Sequence, residues 1–308
     1  MSKTSLLTVL GMLSFVACAT ESAENTDSSS LSSGQEKVVY GADNRRDVYA
    51  ETDAALKKFV SGSIVAMIPS TSLVTTDPTN IRLRNTGTYG SQNGLCSGEK
   101  FGNQPAAANC SGTLVGDDLV LTAGHCVEDN ACAQYKWVFD YSLASATSLT
   151  KITADDVYSC KKIEKQVLTN SADYAVVRLD RKVSAGHTPA KLRDQITSPV
   201  RTGESVWMAG SPAGLPVKIT DDAKVTGLAN GFFRASLDAF AGNSGSGVFD
   251  PDTFELVGIL VRGNNDFSYD RTRRCYVPQQ CTAGTTNRSA GCSMTAEEVS
   301  YPPSLAGL

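Results

Sequence analysis

The sequence predicts an all-β fold, a barrel or a sandwich of short strands. Short apolar runs follow one another along the chain, and clusters of Gly, Pro, Asn and Asp separate them, as in strands joined by turns. One stretch, residues 47–60, shows a partial helical stripe instead. The apolar runs are residues 63–68, 112–115, 119–123, 137–139, 174–179, 205–209, 218–219, 232–237, 247–249 and 256–261.

Composition excludes several classes of protein. The chain has 308 residues, enough for one or two domains, and its hydrophobic share of 41% excludes wholesale disorder. The formal net charge of −4 and the lack of a long basic run argue against a nucleic-acid partner. One long apolar run, at the N-terminus, excludes a protein with several membrane-spanning helices. Nine cysteines beside two histidines argue against a zinc site and for disulfide bonds in an exported protein.

The N-terminus predicts an export signal. Lys3 precedes a largely apolar stretch, residues 6–17, which is too short to span a membrane as a helix. Residues 15–18 (Phe-Val-Ala-Cys) resemble the bacterial lipobox, which implies cleavage before Cys18 and lipidation of Cys18. The alternative is ordinary cleavage nearby, with Cys18 left as an odd cysteine. We favour the lipoprotein-type signal peptide over residues 1–18, because its removal leaves an even number of cysteines.

The rest of the chain divides by composition. Residues 19–37 are rich in Ser, Glu, Asp, Thr and Asn, and we expect a disordered tether or pro-segment there. Residues 38–263 carry the apolar runs and form the predicted domain. Residues 264–308 are polar and rich in cysteine, and we expect them to be a C-terminal extension of the same domain, attached by disulfides.

Three segments together predict nucleophilic catalysis. His125 follows an apolar run, Asp173 opens another, and Ser244 lies in a glycine-rich turn. A serine hydroxyl becomes a strong nucleophile when a base such as histidine takes its proton, and a carboxylate orients that base. The glycines around Ser244 allow a tight turn in which the N–H groups of Gly242 and Ser244 form an oxyanion hole. His125, Asp173 and Ser244 are therefore the predicted catalytic residues.

At these segments the chain resembles the trypsin/chymotrypsin-fold serine peptidases, nearer the bacterial trypsin-like and glutamyl-endopeptidase branches. Five stretches carry the resemblance, and the three motifs that contain His125, Asp173 and Ser244 occur in the family's order and spacing. They are the cysteine loop 110–126, the acid strand 173–179, the nucleophile turn 242–246, the cleft strand 258–263, and residues 38–45, which resemble mature N-termini of the glutamyl branch.

The resemblance implies a trypsin-like double antiparallel β-barrel with the active site between the barrels. It implies protein or peptide substrates and no cofactor, and we expect neither a metal nor a nucleic-acid partner. Membrane contact is expected only through a lipid on Cys18, in a monomer that is secreted or held in the bacterial cell envelope.

The same resemblance implies a disulfide between Cys110 and Cys126 beside the catalytic histidine. For the other six cysteines fifteen pairings are formally possible. We predict Cys132–Cys160 from nearness in the chain, and we expect Cys96 to pair with one of the three C-terminal cysteines.

Specificity is predicted from the residues that the resemblance places around the substrate. Asp238, six residues before Ser244, matches the position at which trypsin carries an acid for substrate Lys or Arg. Val261, Arg262 and Gly263 match the cleft strand. We favour cleavage after Lys or Arg, with small or apolar residues as the alternative. Arg262 is expected either to balance Asp238, to favour acidic groups at outer subsites, or to remain solvated.

Two departures from the family pattern concern activation. Asn243 stands where mammalian digestive peptidases carry an Asp that pairs with a freed N-terminal amine, and an Asn cannot form that ion pair. Cleavage between Lys37 and Val38 would still separate the domain from its tail, whereas without processing residues 38–40 are simply a first strand. His187 lies in a loop-like stretch, and we expect it on the surface without a catalytic role.

A function of another class has to be weighed. The same fold can serve as a non-catalytic surface lipoprotein that binds or adheres. Inactive relatives usually lose a triad member, and this chain keeps all three together with Gly242. The sequence therefore favours an exported serine endopeptidase.

Overall fold

The computed structural model describes residues 38–84, 86–287 and 292–308. The predicted signal peptide, its Cys18 and the segment 19–37 lie outside the described residues. Within the described ranges, no helix has the length and apolar character needed to cross a membrane.

Six antiparallel strands form a closed barrel in the N-terminal half of the described chain. Their order around the barrel is β5-β6-β3-β2-β1-β4, and β4 pairs again with β5. The strands are β1 (Ile64–Pro69), β2 (Cys110–Gly116), β3 (Leu119–Thr122), β4 (Tyr135–Val138), β5 (Val157–Thr169) and β6 (Ala172–Leu179).

A second set of six antiparallel strands closes in the same way. The order is β7-β10-β11-β12-β9-β8, and β8 pairs with β7 to close the ring, while the short strand Arg46–Asp47 adds to β8. The strands are β7 (Ser205–Gly210), β8 (Lys218–Leu228), β9 (Phe232–Ala235), β10 (Gly247–Phe249), β11 (Leu256–Arg262) and β12 (Glu297–Ser300). The predicted all-β double barrel is confirmed.

The cysteine-bearing segment occupies a different place from the one predicted. We expected it to follow the peptidase domain as an extension, but the last strand of the second barrel, β12, comes after it. Residues 263–296 are therefore an insertion between β11 and β12. The insertion contains the antiparallel strands Phe267–Asp270 and Cys275–Pro278, and its strand Gln280–Cys281 runs parallel to Val39–Tyr40.

Four disulfides connect these parts. Cys110 pairs with Cys126 and Cys132 with Cys160, both within the first barrel and its loops. Cys96 pairs with Cys275, one of the three C-terminal cysteines, as predicted. Cys281 pairs with Cys292 inside the insertion.

Helices are few and short. The predicted helix over residues 47–60 is instead a 3-10 turn, Val48–Ala50, followed by α1 (Ala54–Ser63). Asp53 sets the start of α1, because its side chain accepts hydrogen bonds from the N–H groups of Ala55 and Leu56. The other helical segments are Ser70–Ser72, Tyr89–Asn93, Gly124–Val127, Ala131–Gln134, Ala154–Asp156 and Pro212–Gly214, and the remaining short strands are Leu73–Val74, Arg82–Leu83, Leu143–Ser145 and Ser148–Leu149.

Candidate active site

The two barrels contribute different members of the predicted triad. His125 follows β3 in the turn Gly124–Val127, and Asp173 is the second residue of β6, which pairs with β3. Both therefore belong to the first barrel. Ser244 lies in the turn before β10, in the second barrel.

The Asp173 carboxylate is held by hydrogen bonds from the loop that carries His125. Its Oδ2 lies 2.7 Å from Nδ1 of His125. Its Oδ1 accepts from the N–H groups of Gly124, at 2.7 Å, and of His125, at 3.2 Å. Since Asp173 is 2% exposed, these contacts are shielded from water and fix the imidazole with Nε2 directed away from the carboxylate.

The Ser244 turn is anchored to the first barrel at its main chain. The Ser244 carbonyl accepts from the N–H of Ser111 at 2.8 Å, and Ser111 Oγ donates to the Gly242 carbonyl at 2.8 Å. Within the second barrel, the Gly245 N–H donates to the Leu260 carbonyl at 2.8 Å. Ser111 thus holds both sides of the nucleophile turn against β2.

The Cys110–Cys126 disulfide lies between the histidine and this turn. Cys126 Sγ is 3.6 Å from His125 Nε2 and 3.7 Å from the Ser244 carbonyl oxygen, so one sulfur contacts both the imidazole and the nucleophile turn. The grouping of Cys110, Cys126 and His125 has the composition of a metal ligand set. Its two sulfurs are bonded to each other, however, and a disulfide offers no thiolate to a metal.

Gly242 is required by the shape of the turn. Its φ is +89°, and a Cβ at this position would lie 2.5 Å from the Ser211 carbonyl oxygen. Any larger residue would therefore strain the backbone and push the turn away from residues 211–214. The neighbouring Asn243 is 1% exposed and accepts a hydrogen bond from Ser246 Oγ at 3.3 Å, so its side chain supports the turn from within.

Asp238 is buried under the N-terminal segment. It is 2% exposed, its Oδ1 accepts from the Tyr40 N–H at 2.7 Å, and its Oδ2 accepts from the Asn44 N–H at 3.0 Å. Burial raises the pKa of this carboxyl to about 6, although both N–H groups act to lower it. The Ala239 N–H also donates to the carbonyl of Val38, which is fully buried. Residues 38–44 therefore lie directly on the loop that leads to Ser244.

A second buried acid, which the sequence analysis missed, is connected to Asp238 through Tyr40. Glu297 is fully buried, and its Oε1 accepts from the Tyr40 hydroxyl at 3.3 Å. Its other oxygen is so close to Gly263 that a Cβ there would lie 1.6 Å from it. Tyr40 thus bridges Asp238 and Glu297. Burial, and then the charge of Glu297, raise the pKa of the Tyr40 hydroxyl above its usual range.

The other predicted substrate residues lie on β11. Val261 is fully buried in the hydrophobic core. Arg262 stacks its guanidinium over the Phe232 ring, 4.4 Å from the centroid, and lies 3.3 Å from a carboxylate oxygen of Glu298. The charge that Arg262 balances is therefore that of Glu298 and not that of Asp238.

Two further side chains near these elements are held by packing. Phe240 is fully buried under the Arg45 guanidinium, which lies 4.0 Å from its ring centroid. His187 was expected on the surface, but its side chain is 7% exposed. It stacks on Phe139 with centroids 4.1 Å apart and lies 3.4 Å from Asp156, because the loop folds back onto the first barrel.

The chain was compared with protein families, curated sequences and solved structures. The sequence profile of the trypsin-like peptidase domain matches residues 110–259, a range that contains His125, Asp173 and Ser244. A search of curated protein sequences gave no significant match. Among solved structures, the chain is similar to a Glu endopeptidase in complex with MPD, at 19% identity with a TM-score of 0.47, over 78% of this chain and 93% of that chain. It is also similar to the VesB protease of Vibrio cholerae, at 14% identity with a TM-score of 0.46, over 86% of this chain and 64% of that chain. The profile match identifies residues 110–259 as a trypsin-like peptidase domain, which supports a serine-type peptidase that acts on proteins or peptides.

Proposed function

We propose that this peptidase is an exported endopeptidase that works through a Ser-His-Asp triad and an acyl-enzyme. Ser244 Oγ attacks the peptide carbonyl while His125 takes its proton, and His125 then gives that proton to the leaving amine. Water, activated in turn by His125, hydrolyses the ester on Ser244. Asp173 orients the imidazole, and the Gly242 and Ser244 N–H groups stabilise the oxyanion.

The observation that carries this proposal is the position of the His125 ring. Its Nδ1 lies 2.7 Å from the buried Asp173 carboxylate, and its Nε2 contacts Cys126 Sγ, which also contacts the main chain of Ser244. A base that is oriented on one side by a carboxylate can accept a proton on the other side. The glycine conformation at Gly242 supports the oxyanion hole in the same turn.

Export is supported by the cysteines. All eight cysteines among the described residues are joined in four disulfides. Such bonds persist in oxidising compartments and are rare in the cytosol. Together with the signal-type N-terminus, they favour a secreted or cell-envelope enzyme, and the lipobox-like residues favour a lipid on Cys18.

The specificity part of the proposal is cleavage after Lys or Arg. Its support is the charge of the region and not an open path to Asp238, because both oxygens of Asp238 accept hydrogen bonds from residues 40–44. Glu297 lies beside Gly263, and Asp238 lies on the loop that leads to Ser244, so the region holds two buried carboxyl groups. Ionised carboxylates repel an acidic substrate side chain and attract a cationic one.

The experiment that tests the triad is labelling of the full chain with a fluorophosphonate probe, wild type against Ser244→Ala. We expect covalent labelling of wild type and not of Ser244→Ala, and the control Ser97→Ala, at an exposed serine, should be labelled like wild type. Equal labelling of wild type and Ser244→Ala, or no labelling of either, would reject the proposal in favour of a binding protein.

A peptide library then tests the specificity. We expect kcat/KM to be highest for peptides with Lys or Arg before the cleaved bond and lowest for those with Glu. Glu297→Gln is expected to weaken the preference, and Glu255→Gln, at the half-buried residue before β11, is the control. Preferred cleavage after Glu would overturn the specificity while leaving the triad in place.

A further inference from the structure

We propose that Ser300 is a positioning residue for Asp173, and that it ties the catalytic carboxylate of the first barrel to the second barrel. This inference rests on the triad of the proposed function. Ser300 lies on β12, beyond the cysteine-bearing insertion and 127 positions from Asp173 in sequence.

The first observation is a hydrogen bond between the barrels. The Asp173 N–H donates to Ser300 Oγ at 3.4 Å, and Ser300 is 1% exposed. Ser300 itself is fixed in the second barrel, where it pairs with Phe232 on β9 and with Ile259 on β11. A hydroxyl held between two neighbouring strands is a rigid acceptor, because its backbone cannot shift without disturbing both pairings.

The second observation is a close approach of two main-chain segments beside this hydrogen bond, one before β6 and one before β9. A Cβ on Gly231 would lie 1.7 Å from the carbonyl oxygen of Ser171, two residues before Asp173. The Gly231 carbonyl accepts from the Tyr301 N–H at 3.3 Å, so this turn is joined to the residue after Ser300. The start of β6 therefore contacts the second barrel at two residues, Ser171 and Asp173.

These contacts matter because the triad is divided between the barrels. His125 and Asp173 belong to the first barrel, and Ser244 belongs to the second. The Gly124 and His125 N–H groups hold the carboxylate from the first barrel, while Ser300 holds the Asp173 backbone from the second. Small displacements of catalytic groups lower rates strongly, so this bond serves to keep the imidazole aligned with Ser244.

The test compares full-chain Ser300→Ala with Ser300→Thr, which keeps the hydroxyl, and with Ser63→Ala. Ser63 is a matched control, because it is fully buried and donates to the Thr188 carbonyl at 2.6 Å, on another side of the first barrel. We expect Ser300→Ala to lower kcat about tenfold with KM nearly unchanged, as for a displaced catalytic group. The far-downfield proton resonance of His125 Nδ1–H should also shift. Ser300→Thr should retain most of kcat and the wild-type resonance.

The outcomes separate this inference from the proposed function. An unchanged kcat and resonance in Ser300→Ala would overturn the positioning role, as would a loss of kcat that Ser63→Ala reproduces at equal loss of stability. If Ser300→Ala does not fold, Ser300→Thr still tests the positioning role: a low kcat and a shifted resonance in this variant, which keeps the hydroxyl, would overturn that role.

The resonance of the His125 Nδ1–H is measured without substrate, so it does not depend on catalysis. A wild-type protein that shows this resonance but takes no fluorophosphonate label would reject the proposed triad chemistry and leave the positioning role standing.

Discussion

Asp173 and His125 are joined twice, through the imidazole Nδ1 and through the main-chain N–H, with both contacts on one buried carboxylate. The two bonds fix the ring relative to its own backbone. The tautomer that results carries its proton on Nδ1, and Nε2 is left as the acceptor that a serine hydroxyl needs.

Asp173→Asn is expected to lower kcat/KM by about 10⁴ while leaving the fold intact. The amide oxygen can still accept from Gly124 and His125, but the amide NH₂ would face Nδ1 and force the proton onto Nε2. The measurement is kcat/KM on the preferred peptide, with far-UV circular dichroism and urea unfolding alongside. Asp252→Asn, on an exposed turn, is the control. A loss of less than tenfold would show that Asp173 does not orient the base.

Gly242→Ala is expected to lower kcat by at least about 10², the loss typical of one misplaced oxyanion donor. The added Cβ would lie 2.5 Å from the Ser211 carbonyl, at a φ of +89°. Gly203→Ala is the control for backbone strain alone. Gly203 has a φ of +87°, like Gly242, but nothing lies within 4 Å of the added Cβ. Both variants should lose stability, and only Gly242→Ala should lose kcat. Equal kcat in the two variants would remove Gly242 from the oxyanion hole.

The motifs around the three predicted catalytic residues can be recognised in the sequence because each is a short local pattern. His125, Asp173 and Ser244 were singled out with their neighbours, and the fold joins the first two through paired strands β3 and β6. Most apolar runs became strands within a few residues of the predicted bounds. Patterns of this kind are visible because burial on one or both faces imposes them on the sequence.

Two of the twelve barrel strands, β5 and β12, are not marked by apolar runs in the sequence, for opposite reasons. β5 is rich in lysine and largely exposed or half-buried, so no apolar run marks it. β12 begins with Glu297 and Glu298, which are buried although both are acidic. Glu298 is compensated by Arg234, at 2.9 Å, and by Arg262, partners that lie far away in sequence. Burial that depends on such long-range pairing leaves no apolar periodicity in the sequence. For this reason the sequence does not reveal β12, the insertion before it is predicted to be an extension, and Glu297 is not singled out.

The buried Asp238 should make stability depend on pH in a defined window. Burial raises its pKa to about 6 from an ordinary value of 3.8, so the folded state holds this proton more tightly than the unfolded chain does. Its stabilising contribution is complete below pH 3.8 and is lost as pH rises through about 6. The loss amounts to roughly 3 kcal/mol.

Urea unfolding of wild type and Asp238→Asn between pH 4 and pH 7 measures this contribution. The free energy of unfolding of wild type, minus that of the variant, should fall as pH rises through the window. Asp252→Asn should give a much flatter difference. A difference that rises with pH would mean that the N–H groups of Tyr40 and Asn44 outweigh burial, and that Asp238 is ionised at lower pH.

The disulfides are expected to differ in how much they stabilise the fold, because they close loops of different length. Cys96–Cys275 joins residues 179 apart and anchors the insertion, whereas Cys281–Cys292 joins residues 11 apart within it. A cross-link restricts the unfolded chain more as the closed loop lengthens, which predicts losses of about 5 kcal/mol for the first and about 3 kcal/mol for the second. Double Cys→Ser variants of each pair, unfolded in urea with the other disulfides intact, measure both losses. A larger loss from the Cys281/Cys292 pair would show that this bond acts mainly in the folded state. There it packs beside Val38 and so supports the segment that covers Asp238.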